Sequence, residues 1–137
     1  MRNPDLAQDH IRRSEARLRA LDALYDARSW ADVVREAQEV VELALKGLLR
    51  AAGIDAPRIP DVSDVLIAER AQLPAPVRGD VERLAAISRD LRRDRELAFY
   101  GADDLTPSSF YGEADADRAR EGARWTVHKV RAAVPRE

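Results

Sequence analysis

The chain contains no cysteine in its 137 residues, which excludes disulfides, thiol nucleophiles and thiolate metal sites together. Histidine is almost as scarce. His10 and His128 are the whole supply, and nothing in their spacing suggests a metal centre, so neither a metal nor a cofactor is expected. Lysine occurs only at positions 46 and 129, and the remaining basic residues are arginines, a bias that points to a GC-rich bacterial genome. Aromatic residues make up 5% of the chain, so the core has to be built from Leu, Val, Ile and Ala. No stretch approaches the roughly 18–20 apolar residues that a bilayer span requires. The opening "MRNPDLAQDH" has no apolar leader core, and the expectation is a cytoplasmic protein with no membrane contact. The net charge of −2 gives no global attraction to nucleic acid, so any phosphate binding must come from a local patch.

What the chain does contain is helical pattern. With 45% hydrophobic and 35% charged residues, it reads as one globular domain over residues 1–137. A first helix is predicted over about 4–28, with Asn3 as cap, Pro4 at the first helical position and a stripe of Ala7, Ile11, Ser14, Leu18, Leu21 and Tyr25. Ser29 is placed to cap a second, most apolar helix that ends at Gly53, with Val34, Ala37, Val41, Leu45, Leu48 and Ala52 facing inward. "IDAPRIPDV" carries two prolines and cannot be helical. A short helix over about 63–71 follows, then a fourth over about 76–99 with Val81, Leu84, Leu91 and Ala98 inward. A loop over about 100–112 leads to a fifth, running to Val134, whose stripe is Ala116, Ala119, Ala123, Val127 and Val130. No strand alternation or internal repeat is present. The expected fold is all-α: an antiparallel four-helix up-and-down bundle with an additional short helix.

Several polar residues fall on the apolar faces. Gln38 lies among Val34, Leu45 and Leu49, with Glu42 at the border of that face and Lys46 just beyond. On the fourth helix Leu84, Ser88, Leu91 and Arg95 share one line, flanked by Asp94. An unpaired buried guanidinium costs several kcal/mol, so Arg95 needs either a carboxylate, Glu42 or Asp94, or a solvent-filled cleft where it meets a phosphate. On the last helix Arg120 falls within the alanine stripe, while Arg124 and His128 form an i, i+4 pair. The basic run Arg92 to Arg95 is interleaved with acids and reads as a solvated face. Trp30 reads as a packing residue, and Trp125 projects off its stripe, where another chain could cover it.

"AQEVVELALKGLLRAAGIDAPRIPDVSDVL" together with "LRRDRELAFYGADDLTP" resembles the HEPN family, the higher eukaryote and prokaryote nucleotide-binding domain. The features that carry it are the Gln38, Glu42, Lys46 ladder, "DVSDVL" after a proline loop, and "RELAFYG" closing the fourth helix. The resemblance implies a homodimeric helical bundle, often paired with a minimal nucleotidyltransferase as a toxin–antitoxin module. Many members are metal-independent ribonucleases, with an Arg followed after four to six residues by a His. The Arg would hold the scissile phosphate and the His would move the proton of the attacking hydroxyl.

Here Tyr100 follows Arg95 after four intervening residues, and Pro60 stands where the family's loop often has a His. A phenol with a pKa of about 10 is a poor general base at neutral pH. The expected function is therefore binding of nucleotide or RNA phosphate, or of the partner nucleotidyltransferase, without efficient catalysis. Its site would be built from Gln38, Glu42, Lys46, Asp94, Arg95 and Tyr100. Two alternatives remain open at this level. One is a ribonuclease in which Arg95 and Tyr100, with Asp94 or Glu96, carry the reaction; the other is a purely structural dimer. The family association also makes Tyr100 or Tyr111 a candidate for nucleotidyl modification.

Overall fold

Apolar residues recur around most of the circumference of α2 (Trp30–Ala51), and this places it at the centre of the molecule. Val33, Val34, Ala37, Val40, Val41, Ala44, Leu45, Leu48 and Leu49 are all buried on it. The single inward stripe expected from periodicity is too narrow. Helix α2 packs against α1 (Pro4–Asp26), α5 (Val81–Tyr100) and α7 (Glu113–Ala133), so a second arc of Val33, Val40 and Leu49 is covered as well. The computed structural model describes the backbone of residues 4–100 and 106–136, and the side chains of 4–93 and 106–136. The predicted cap Asn3 lies outside them. Every regular element among the described residues is helical.

The first two helices end in the same way for different residues. In α2 the N–H of Gly53 bonds Arg50 O at 3.1 Å and that of Ile54 bonds Leu49 O at 2.9 Å. Gly53 takes φ 77°, the left-handed conformation that a residue without Cβ adopts freely. Helix α1 ends with the same bonds, Arg28 N–H to Tyr25 O and Ser29 N–H to Leu24 O, but Arg28 sits at φ 59°. The carbonyl of Ser29 accepts from Val33 N, while its hydroxyl bonds Asp32 Oδ2 at 2.6 Å instead of capping the backbone.

Gly47 lets α1 and α2 approach closely. A Cβ there would stand 2.7 Å from Ile11 Cγ1 and 3.2 Å from the carbonyl of Ala7. Ser14, fully buried in α1, is satisfied locally by donating to Ile11 O at 2.6 Å.

The predicted fourth helix is two helices. The segment α4 (Ala75–Arg78) stops at Gly79, and α5 begins after Asp80, whose carbonyl accepts from Leu84 N. This turn allows both Val77 and Val81 to be fully buried. The short α3 (Ser63–Ala68) is followed by a single 3₁₀ turn, Arg70–Gln72. Part of the predicted loop is also helical: α6 (Pro107–Phe110) is capped by Thr106, whose hydroxyl accepts from Ser109 N.

Polar ties join α1 to α7 at both ends. Arg131 donates to Glu15 at 2.6 Å and to Gln8 at 2.7 Å, and Arg136 reaches the other oxygen of Glu15 at 2.6 Å. At the opposite end Arg124 and Arg120 lie 2.5 and 3.4 Å from Asp22.

Candidate functional site

Positions 38, 42 and 46 are four apart, so α2 stacks their side chains one above the other. They form a single network. Gln38 Nε2 donates to Glu42 Oε1 at 3.1 Å, and Lys46 Nζ lies 2.8 Å from Glu42 Oε2. A carboxylate only accepts, so Gln38 must turn its NH₂ group toward Glu42. Its carbonyl is thereby directed away, and Oε1 is buried with no hydrogen-bond partner among the described residues. Gln38 is 2% exposed; the side chains of Glu42 and Lys46 are 22% and 14% exposed. Three residues read from the sequence as ligand-binding are therefore brought together, with the anion and the cation of the set bonded to each other.

Ser88 has a structural explanation that periodicity could not supply. It is buried on α5, accepts from Val62 N–H at 3.1 Å and donates to Asp61 Oδ1 at 3.1 Å. The same Oδ1 accepts from Ser63 N–H at 2.9 Å. Asp61 thus starts α3 and fastens it to α5, two helical turns before Arg95 along one line. Sequence reasoning singled out "DVSDVL" without this role; an Asp two residues before a helical Ser was the available signal.

Asp94, Arg95, Glu96 and Tyr100 are carried by the last turns of α5, and their side chains lie outside the described residues. So do the proposed pairing of Arg95 with Glu42 or Asp94 and the cleft beside it. The two histidines are not brought together. His10 Nδ1 is 2.8 Å from Leu6 O; a carbonyl accepts, so this nitrogen carries the proton. His128 is exposed on α7. Its predicted neighbour Arg124 is engaged with Asp22.

Two other expectations change. Arg120, read as lying within the alanine stripe, stacks its guanidinium 3.6 Å over the Tyr25 ring. The Tyr25 hydroxyl donates to Asp117, which together with burial pushes its pKa up to about 12. Trp125 is covered from within the chain: Arg83 sits 3.9 Å over its ring and Lys129 lies 5.8 Å away. Trp30 is the packing residue it was read as, edge-on to Tyr25 at 5.0 Å. Tyr111 is 6% exposed, which leaves little of it open to modification in this state.

The model of one family, the HEPN domain, matches residues 7–132. The chain belongs to the HEPN domain family. The match starts at the first buried residue of α1 and includes α2 through α6 and nearly all of α7, so the α2 network and the Asp61–Ser88 clasp both lie within it. No curated protein and no solved structure matches the chain. Membership of the HEPN family points to a nucleotide- or RNA-related function. Among the described residues of this HEPN domain, no helix is long and apolar enough to cross a membrane.

Proposed function

We propose that this HEPN domain binds the phosphate of a nucleotide or RNA strand near the C-terminal end of α5. In this reading residues 1–137 are a single domain, an antiparallel four-helix up-and-down bundle of α1, α2, α5 and α7, working as a cytoplasmic homodimer. Arg95 supplies the guanidinium, Tyr100 and Asp94 flank it, and Gln38, Glu42 and Lys46 form the polar wall on α2. A minimal nucleotidyltransferase in a bacterial toxin–antitoxin or defence module is the proposed protein partner. Catalysis is inefficient, because Tyr100 replaces the family's proton-transferring His.

One observation carries the reading: a Gln–Glu–Lys network sits on the core side of the most apolar helix, with one acceptor buried and unpaired among the described residues. Well-packed apolar residues in place of such a network are often neutral or stabilising, so stability alone does not account for it. Titration of short single-stranded RNA and of mononucleotides, with sedimentation to fix the oligomeric state, tests the proposal. Saturable binding by a dimer is expected, and a strict monomer that binds neither would refute it.

The direct Glu42–Lys46 pair supports a second reading, a structural dimer whose α2 network only sets helix packing. A stable dimer with no affinity for RNA, nucleotide or phosphate would select it.

A further inference from the structure

Between the middle of α5, the short α6 and the N-terminal half of α7 lies an open groove of about 340 Å³, within the size range of small-molecule sites. Its floor is apolar and made in part by small residues: Ile87 and Leu91 from α5, Ala119 and Gly122 from α7. A Cβ on Gly122 would stand 3.6 Å from Ile87 Cγ2, so any longer side chain there would occupy the floor. Phe110 edges the groove and is 40% exposed, with its ring centroid 5.0 Å from that of the buried Tyr111. The rim carries both signs, Asp90 and Asp115 against Arg93 and Arg118.

These features exclude simple guests. An acyl chain or apolar peptide face would shield this charged rim from water and offer it no hydrogen bond in return. A bare anion would leave the floor unused and meet two carboxylates. A bare cation would meet two guanidiniums. A planar heterocycle with donors and acceptors along its edge uses everything present. Its face lies on the floor and against Phe110, and its amino edge meets Asp90. Arg118 can turn from Asp115 to an attached phosphate, because their 2.9 Å pair is solvent-exposed, with 76% and 34% of the two side chains accessible, and so is weakly held.

We propose that this groove is a nucleobase pocket, taking the base of a free nucleotide or of an RNA strand, with the phosphate reaching Arg118. The inference rests on the nucleotide reading above and adds a second, distinct contact surface to it.

Calorimetric titration with AMP, adenosine, inorganic phosphate and a short single-stranded RNA tests it, on the wild type and on Gly122→Leu, Phe110→Ala and Arg118→Ala. Leucine is a better helix former than glycine, so Gly122→Leu retains the fold, and a thermal melt verifies this. Base stacking contributes about 1–3 kcal/mol, so Phe110→Ala weakens AMP roughly 5-fold to 100-fold, and Gly122→Leu at least as much. Arg118→Ala weakens AMP but leaves adenosine unchanged. RNA that follows AMP through the variants identifies a base of the strand as a guest; RNA indifferent to them identifies the free nucleotide. The pocket is overturned if phosphate binds as tightly as AMP, if Gly122→Leu binds AMP normally, or if the wild type binds neither AMP nor adenosine. RNA binding lost in Arg95→Ala with AMP binding normal in Gly122→Leu removes the groove and keeps the α5 site. AMP binding lost in Gly122→Leu but intact in Arg95→Ala does the reverse.

Discussion

Gln38 Nε2 is 3.1 Å from Glu42 Oε1, and this one bond leaves the amide's own oxygen buried without a partner among the described residues. The Lys46 ammonium, 2.8 Å from the other carboxylate oxygen, completes the arrangement. An orphaned buried acceptor carries a desolvation cost of about 1–3 kcal/mol. Gln38→Leu removes that cost, while Glu42 retains Lys46, and it should raise the melting midpoint in denaturant by the equivalent of about 1 kcal/mol. Thr126 Oγ1, fully buried in α7 and likewise without a partner among the described residues, provides the control. Thr126→Val should stabilise similarly and leave ligand binding unchanged, whereas Gln38→Leu should weaken binding. Equal behaviour of the two variants in the binding assay would mean that the α2 network has no role beyond packing.

Gly47 and Ile11 give the second prediction. Gly47→Ala gains about 1 kcal/mol of helix propensity but forces a contact 2.7 Å from Ile11 Cγ1. Overpacking costs about 1–3 kcal/mol, so a net loss of roughly 1 kcal/mol in chemical denaturation is expected. Combining it with Ile11→Ala should yield a coupling energy that favours the double variant. Strict additivity would show that the helices can separate without cost.

The third concerns the clamp of α1 on α7. Arg131→Met leaves Glu15 held by Arg136, and should cost about 1 kcal/mol. Glu15→Leu takes the counter-charge from Arg131, only 14% exposed and left with the neutral Gln8 and Val134 oxygens, and should cost about 2–3 kcal/mol. The reverse ranking in denaturant melts would contradict the geometry.

Tyr25 gives a pH dependence. Its folded pKa is pushed up to about 12 by the bond to Asp117, above the unfolded value of about 10. The neutral phenol is the form that the fold favours. Its contribution is therefore fully present below pH of about 10 and is lost as pH rises through about 12. Ultraviolet titration should show a phenolate forming near pH 12 that is absent in Tyr25→Phe. A high-pH titration that Tyr25→Phe leaves unchanged would rule the Asp117 bond out.

Local chemistry made the long helices legible. Gly53 ends α2 where a left-handed residue is needed, two prolines interrupt the next segment, and the inward residues of α7 recur at helical spacing. Where the sequence misleads, the reason is non-local or too short to have a period. The apolar phase runs on through Gly79, so the turn between α4 and α5 is invisible until Asp80 is seen starting a new helix. Helix α6 has four residues, fewer than periodicity can register. Arg28 ends α1 in a conformation that its side chain does not favour, and nothing in its type announces that. Ser88, Arg120 and Trp125 each owe their placement to a partner on another element: Asp61, Tyr25 and Arg83 respectively. Within the site, helical spacing put Gln38, Glu42 and Lys46 on one line. It could not say that Glu42 would be taken by its own neighbours.

The most direct test of the account compares RNA binding by Arg95→Ala with that of Arg136→Ala. Both remove one positive charge, and Arg136 is an exposed residue beyond the end of α7, bonded only to Glu15 among the described residues. A charge-assisted contact to phosphate is worth about 1.5–3 kcal/mol, so Arg95→Ala should weaken binding roughly 10-fold to 100-fold while Arg136→Ala stays near wild type. Equal affinity for the two variants would contradict the claim that Arg95 holds the phosphate.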